Sequence, residues 1–324
     1  GFAHYRIRLQ GASTGLGAEL TALRHLHRAY RCIKPSLALH FTPKVDIYGG
    51  LVARTLGIPF ISNLSGMGTA ITRGGWLGAA VNGLLKVSQG PANHLFVQNA
   101  DDQAHVIRHQ IAKSTTVSVL PGSGVDLADF PVAPLPPHDM RSADSRPIHF
   151  VMIARLVAEK GVREYMQAAE ITRNHFPDAC FTIVGGIPDG HKDAITIEEL
   201  QEWSQHPNQA WLGKRDDVRP IIRDADCVVL PSYREGTPRV LLEAAATGRP
   251  VIAADSIGTR EPLIDGQTGL LCQPWDAVDL AAATQRMIKL GPRTRRDMGL
   301  AGRCLMETQY DVQFVVDAYL DKIQ

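Results

Sequence analysis

Two doubly wound α/β domains, each built on a parallel sheet, are what this chain predicts, and three observations predict them. Short apolar runs of strand type alternate with helical patterns along the whole length. The alternation stops at a stretch, 131–147, that holds Pro131, Pro134, Pro136, Pro137 and Pro147 with Asp139, Arg141 and Asp144, and then it restarts. The 324 residues also exceed what one hydrophobic core usually organises. We expect a first domain over 1–137, a linker over 138–147, a second domain over 148–308, and a terminal segment over 309–324 packing back toward the first domain.

The elements follow in order. Residues 19–34 have a helical pattern, with Arg24, Arg28 and Arg31 on one face at i, i+4 and i+7. Strands are expected at 37–40, 59–62, 94–97 and 117–120, with helical patterns near 46–56, 76–90 and 100–111. After the linker comes a strand at 148–153, a helix over 161–174, and a strand at 181–184 that ends at Gly185 and Gly186. Further strands fall at 210–212, 227–230 and 251–253, and a last helix runs over 312–323 after the break at Gln309, Tyr310 and Asp311. Two parallel sheets of this kind place a ligand at the carboxyl ends of their strands, in a cleft between the domains.

Composition narrows the function classes. Hydrophobic residues make up 44% and charged residues 21%, the balance of a globular protein. No run of 18 apolar residues is present, so no stretch of the sequence reads as a bilayer-spanning helix, and the opening residues do not read as a secretory signal. Cys32, Cys180, Cys227, Cys272 and Cys304 are scattered without metal-ligand spacing, which fits free thiols in a reducing cytosol. The net charge of +1 hides an imbalance: residues 1–137 carry 12 Lys/Arg against 6 Asp/Glu, and the remainder 22 against 27. A basic first half suits an anionic partner, either a phosphorylated substrate or an anionic membrane face, with ordinary surface variation as the competing reading. No nucleic-acid partner is expected.

The segment 234–250, REGTPRVLLEAAATGRP, is the most informative. An apolar strand ends at Pro231 and Ser232, a loop carries Glu235, and Thr237 and Pro238 punctuate a helix start. Strong helix formers follow until Gly248 and Pro250 stop the helix. Its N-terminus offers unpaired N–H groups and a positive dipole end to an anion, and Glu243 stands about one turn in. A phosphate cradle with two nearby carboxylates, Glu235 and Glu243, suits a sugar nucleotide; solvated glutamates are the competing reading. Three further loops emerge from the same sheet edge. The first holds Arg155 and Lys160, a fork and a point charge able to meet one diphosphate. The second holds Gly185 and Gly186, where backbone can approach a ligand. The third is Leu212-Gly213-Lys214-Arg215-Asp216-Asp217-Val218.

With ARLVAEKG at 154–161, TIVGG at 182–186, WLGKRDDV at 211–218, the run 225–255 and REPLIDGQTGLL at 260–271, residues 148–320 closely resemble the C-terminal domain of the family 4 retaining glycosyltransferases. The resemblance implies a GT-B fold, two Rossmann-like domains facing across a cleft. It implies that Arg155 and Lys160 bind the donor diphosphate, that Glu243 holds the ribose, and that Glu235 contacts the transferred sugar. Backbone around Gly236, Thr237, Pro238 and Val240 would complete the phosphate cradle, while Gly213, Lys214 and Arg215 would lie near the base.

The first half resembles the same family more loosely, through HFTPKVDIYGGLVARTLGIPFISNLSGMG at 40–68 and LPGSGVDLADF at 120–130. These segments look like members that build bacterial surface glycans on a lipid-diphosphate carrier. Two departures stand out. The family's opening strand and Gly-rich loop have no counterpart, so we expect an incomplete first domain whose sheet has an exposed edge. The loop after 59–62 reads Asn63-Leu64-Ser65-Gly66-Met67-Gly68 where many relatives carry a histidine, so no catalytic histidine is carried over there. His40, at another strand end, reads as structural. Arg24, Arg28, Arg31 and Lys44 are candidates for the acceptor phosphate, with a solvated basic face as the competing reading.

The activity implied is a retaining transfer of a hexose or N-acetylhexosamine from a nucleotide-diphosphate sugar, UDP-linked, to a glycan or lipid-linked acceptor. No cofactor is implied beyond that donor substrate. No Asp-x-Asp motif stands in a suitable loop, so the basic pair takes the place of a metal. The expected location is cytoplasmic, at the inner face of the plasma membrane, with peripheral contact through the basic first domain. Two alternatives stay open. One is an inactive nucleotide-sugar-binding chain; the other is an epimerase of the same architecture, for which the first domain offers no acid/base pair.

Overall fold

The computed structural model describes residues 4–5, 16–67, 75–136 and 147–323. It divides the chain into two compact units, Gly1–Gly122 with Lys322–Gln324, and Ser123–Asp321.

In the first unit, helix α1 (Leu16–Ile33) buries Ala22, Leu26 and Ala29, one helical stripe, and leaves Arg24, Arg28 and Arg31 exposed. Four strands, β1 (Ala38–Phe41), β2 (Phe60–Leu64), β3 (His94–Val97) and β4 (Val117–Val119), lie parallel in the order β1-β2-β3-β4. Every residue of β2 and β3 is buried, which is why they read as near-continuous apolar runs rather than alternating ones. By contrast β1 alternates, with Leu39 and Phe41 exposed, and its outer edge pairs with no strand among the described residues. Helices α2 (Pro43–Leu56), α3 (Gly75–Gln89) and α4 (Ala100–Arg108) connect them. The side chain of Asn99 caps α4 by accepting from the Asp102 N–H at 2.8 Å. That helix ends three residues before the expected 111, because Gln110 takes a left-handed φ of 52°.

The His40 expectation has a geometric basis. Its ring is 1% exposed, bonded through Nε2 to the Tyr30 hydroxyl (2.8 Å) and through Nδ1 to Ser62 Oγ (3.3 Å). A Cβ on Gly49 would come within 2.6 Å of the imidazole, so α2 passes the ring only with glycine there. Burial pushes the His40 pKa down to about 4.

The second unit holds six parallel strands: β5 (His149–Ile153), β6 (Cys180–Val184), β7 (Gln209–Trp211), β8 (Cys227–Leu230), β9 (Val251–Ala254) and β10 (Gly269–Cys272). Their order is β10-β9-β8-β5-β6-β7. Helices α5 (Val162–Arg173), α6 (Ile197–Trp203), α7 (Arg219–Asp224), α8 (Arg239–Ala246), α9 (Ala277–Lys289), α10 (Gly291–Leu305) and α11 (Val312–Ile323) accompany them. Phe150, Tyr165, Phe181 and Met287 belong to one core cluster, and Val151, Val228, Leu241 and Ala244 to another. Strand β10 is not singled out by the sequence, being four residues that begin with glycine. A Cβ at Gly269 would collide with the Val251 carbonyl, so glycine is what lets β10 pair with β9.

The segment 123–136 packs within this second unit. The Val125 N–H donates to Tyr310 O (2.8 Å), and the Val312 N–H returns to Val125 O (3.1 Å). Arg303 donates to Phe130 O at 2.8 Å. Arg249, 0% exposed, donates to Ala133 O (2.9 Å) and Pro134 O (2.8 Å) as well as to Arg223 O (2.6 Å). The expected linker 138–147 lies, apart from Pro147, outside the described residues.

Candidate functional site

Parallel neighbours β5 and β8 connect onward to opposite sides of the sheet, β5 to β6 and β8 to β9, which makes a topological switch point between them, where ligands of doubly wound sheets bind. The loop after β5 carries Arg155, Glu159 and Lys160, and the loop after β8 carries Glu235 and leads into α8. The segments the sequence singles out therefore flank the switch point.

These loops are bonded to one another. Lys160 Nζ donates to Glu235 Oε1 at 2.5 Å, with side chains only 11% and 17% exposed. Glu159 O accepts from the Tyr233 N–H (2.9 Å) and from Ser232 Oγ (3.2 Å). A Cβ on Gly161 would strike the Pro231 carbonyl, and its φ of 72° is left-handed, so glycine is required there twice over. Arg155 reaches solvent, 63% exposed, with its head 3.5 Å from Glu159. The loop after β9 completes the support: the Glu235 N–H donates to Ile257 O (2.9 Å), and Ser256 Oγ to Ser232 O (2.8 Å).

The predicted loops after β6 and β7 join the same hub. The Leu156 N–H donates to Gly186 O (3.1 Å), and the Gly185 N–H to Gly213 O (3.0 Å). A Cβ on Gly185 would overlap the Ala154 carbonyl, so this glycine serves the approach of two protein loops. Gly186 has only an ordinary contact with Lys214. Lys214 and Arg215 are exposed on the rim, Lys214 lying 3.6 Å from Asp216.

Helix α8 starts at Arg239 with Pro238 as its N-cap and no side-chain cap bond. The Leu241 N–H turns back to Pro238 O (3.1 Å), and no cap side chain covers the N–H groups before it, those of Arg239 and Val240. Gly236, Thr237 and Pro238 are buried, and the Val240 side chain packs on the core, so these residues can offer a ligand backbone rather than side chains. Glu243 is 9% exposed, and burial raises its pKa, opposed by Arg239, whose guanidinium lies 3.2 Å away. That i, i+4 pair was legible in the spacing and was not singled out. Tyr233, bonded to Glu164 at 2.6 Å and facing the Trp275 ring at 4.9 Å, was also missed, since its partners lie far away in sequence.

On the first unit, Lys44 is paired with Glu19 (2.9 Å), which also accepts from the Tyr48 hydroxyl (2.6 Å). An acceptor phosphate would compete with that carboxylate. Among the described residues no group of three or more His, Cys, Asp or Glu is placed to hold a metal ion, and no helix is long and apolar enough to cross a membrane.

Residues 147–289 match the family model for glycosyl transferases group 1. The N,N'-diacetylbacillosaminyl-diphospho-undecaprenol alpha-1,3-N-acetylgalactosaminyltransferase of Campylobacter jejuni is 27% identical over 86% of this chain and 73% of its own length. The UDP-Gal:alpha-D-GlcNAc-diphosphoundecaprenol alpha-1,3-galactosyltransferase of Escherichia coli is 26% identical over 74% of this chain and 63% of its own length. Of a D-inositol 3-phosphate glycosyltransferase from Arthrobacter, 30% identical, the chain spans 52%. Among solved structures, sucrose-phosphate synthase from Thermosynechococcus elongatus superposes with a TM-score of 0.75 at 20% identity, covering 94% of this chain and 78% of that one. Anabaena HepE in complex with UDP-glucose does so with 0.76 at 17%, covering 96% and 84%. At such identities the likeness is one of fold, and the fold is the GT-B type expected from the sequence.

Proposed function

We propose that this chain, which carries a group 1 glycosyltransferase domain over residues 147–289, is a retaining, metal-independent transferase. In this reading it moves a hexose or N-acetylhexosamine from a UDP-sugar to a lipid-diphosphate-linked glycan. The carrying observation is the Lys160–Glu235 pair, which joins the β5 and β8 loops at the switch point beside the uncapped N-terminus of α8. The printed activities of the Campylobacter and Escherichia relatives, both acting on diphospho-undecaprenol substrates, support the acceptor class.

The residues would divide the work as follows. Arg155, Lys160 and the first N–H groups of α8 take up the negative charge that grows on the leaving diphosphate, a role worth about 3 kcal/mol per well-placed donor. Glu243 accepts from the ribose hydroxyls, and Glu235, already oriented by Lys160, accepts from the hydroxyls of the transferred sugar. Lys214 and Arg215 border the base. The bond between the anomeric carbon and the diphosphate oxygen breaks as the acceptor oxygen bonds to the same face. The acceptor hydroxyl's proton passes to the departing phosphate oxygen, so no protein base is needed. Action on a lipid-linked acceptor places the work at the cytoplasmic face of the membrane, and no cofactor other than the donor substrate is involved.

Calorimetric titration with UDP, GDP, ADP and their sugar conjugates tests the donor assignment, on this chain and on an Arg155→Ala/Lys160→Ala variant. UDP-sugar binding that the double change abolishes is the expected result. No nucleotide binding by a folded chain would sink the reading, and binding without transfer to a diphospholipid-linked sugar would leave a binding protein.

A further inference from the structure

Helix α3 (Gly75–Gln89) is amphipathic in the reverse sense. At roughly 3.6 residues per turn, Trp76, Ala79, Ala80, Gly83, Leu84 and Val87 fall within one arc of about 140°, and all six are exposed. Trp76 is 83% exposed, Leu84 40% and Val87 49%. The opposite, buried side carries Gly78, Leu85, Ser88 and Gln89, where Ser88 Oγ donates to Leu85 O and Gln89 Nε2 to Asp46 O. A helix adapted to water on its outer face would show the converse.

Cations surround the C-terminal half of this stripe. Arg54 donates to Val87 O at 3.0 Å, Lys86 to Gln110 Oε1 at 3.1 Å, and Lys113 lines the same recess as Lys86 beside the exposed Ile107. Residues 51–120 contain 5 Lys/Arg and only two acids, Asp101 and Asp102. Both acids lie in the first turn of α4, at the other end of that helix from Arg108, and Asp102 is buried. An apolar stripe with a tryptophan, bordered by cations and with the acid beneath the helix, Asp46, fully buried, matches a bilayer interface of anionic lipid in both polarity and charge.

We propose that the exposed face of α3, with Arg54, Lys86 and Lys113, is a surface that docks on an anionic lipid bilayer. The choice of a bilayer rests on the reading of the acceptor as lipid-linked, and it gives that reading a physical surface. Trp76, Leu84 and Val87 enter the headgroup–acyl boundary, and the cations meet lipid phosphates.

The test is flotation of the whole chain with vesicles of phosphatidylcholine alone or of equimolar phosphatidylcholine and phosphatidylglycerol. We expect binding to the anionic vesicles that high salt weakens. Trp76→Ser/Leu84→Ser/Val87→Ser should lower it at least about tenfold, and Arg54→Gln, Lys86→Gln and Lys113→Gln about fivefold each. Quenching of tryptophan fluorescence by brominated lipid should disappear in the conservative Trp76→Phe variant, which guards against a misfolded triple variant. Failure to bind anionic vesicles, or undiminished binding by the apolar triple variant or by all three cation variants, would overturn the surface. So would a dimer in sedimentation that the apolar triple variant dissolves, since the face would then join two copies. UDP titration of the same samples separates the two readings: UDP binding without vesicle binding overturns only the surface, and vesicle binding without UDP binding overturns only the donor site.

Discussion

Lys160 and Glu235, 75 positions apart in the chain, meet at 2.5 Å and tie the loop after β5 to the loop after β8. The pair does two things at once. It fixes the carboxylate proposed to face the sugar, and it keeps a cation beside the N-terminus of the helix proposed to take the diphosphate. Because both side chains are mostly shielded, losing one partner leaves the other charge poorly solvated.

Lys160→Ala and Glu235→Gln should each lower the rate of transfer by about two to three orders of magnitude. The double variant should be little worse than either single one, since contacting residues couple. Steady-state transfer in the four members of the cycle measures this, and strictly additive losses would show that the two residues act independently.

Glu243 yields a pH prediction. Its folded-state pKa is raised above 4.5, chiefly by burial, and Arg239 opposes the rise. The folded state thus favours the protonated carboxyl, and Glu243 takes stability away as pH climbs from 4.5 through the raised value. Nucleotide affinity should run the other way, falling as pH drops and the carboxylate is lost. Arg239→Ala should move that fall to higher pH, whereas Glu243→Ala should weaken UDP binding about 10-fold or more at neutral pH. Calorimetry across a pH series reads both, and a pH-independent wild type would rule out the ribose assignment.

Glycines of the site should separate into two kinds. Gly185→Ala and Gly258→Ala force a Cβ into the backbone carbonyls of Ala154 and of Glu235 and Gly236, and each should cost about 3 kcal/mol or more. Gly213→Ala, at φ 69° with open space around it, should cost only about 1 kcal/mol of backbone strain. Urea unfolding midpoints compare them, and equal losses at all three would contradict the packing described.

His40 should make the first unit acid-sensitive. Its pKa is pushed down from 6.5 to about 4, so its contribution is complete above 6.5 and is lost as pH falls toward about 4. The full effect is up to about 3 kcal/mol. His40→Gln should be less stable at neutral pH and should lose most of that slope between pH 6.5 and 4, as followed by denaturant unfolding. An unchanged slope would assign the acid sensitivity to other groups.

The strands other than β10, their order of occurrence and the four loops were legible because each is a local signal. Val228, Val229 and Leu230 form an apolar run, Arg155 and Lys160 share a strand-to-helix loop, and a proline precedes a helix of good formers. What stayed hidden depends on residues distant in sequence. Gly185 looked like an opening for ligand, yet the atom it makes room for is Ala154 O, supplied by another strand's loop. The segment 123–136 looked like the end of the first domain, but Arg249, more than a hundred residues on, holds it to the second unit. Strand β10 was too short, and too glycine-marked, to stand out from the turn before it.

Gly161 lies against Pro231 O, Gly185 against Ala154 O, and Gly258 against Glu235 O. The loops after β5, β6, β8 and β9 are thereby cast on one another's main chain, and none of these four can be redrawn alone. A descendant of this scaffold that acquired a new donor preference could not do so by exchanging a loop, since the loops beside it would no longer close. Lys214, Arg215 and Arg239, exposed on the rim, are under no such constraint. Diversification is channelled to those margins, while the clasp proposed to hold the diphosphate is inherited as a block.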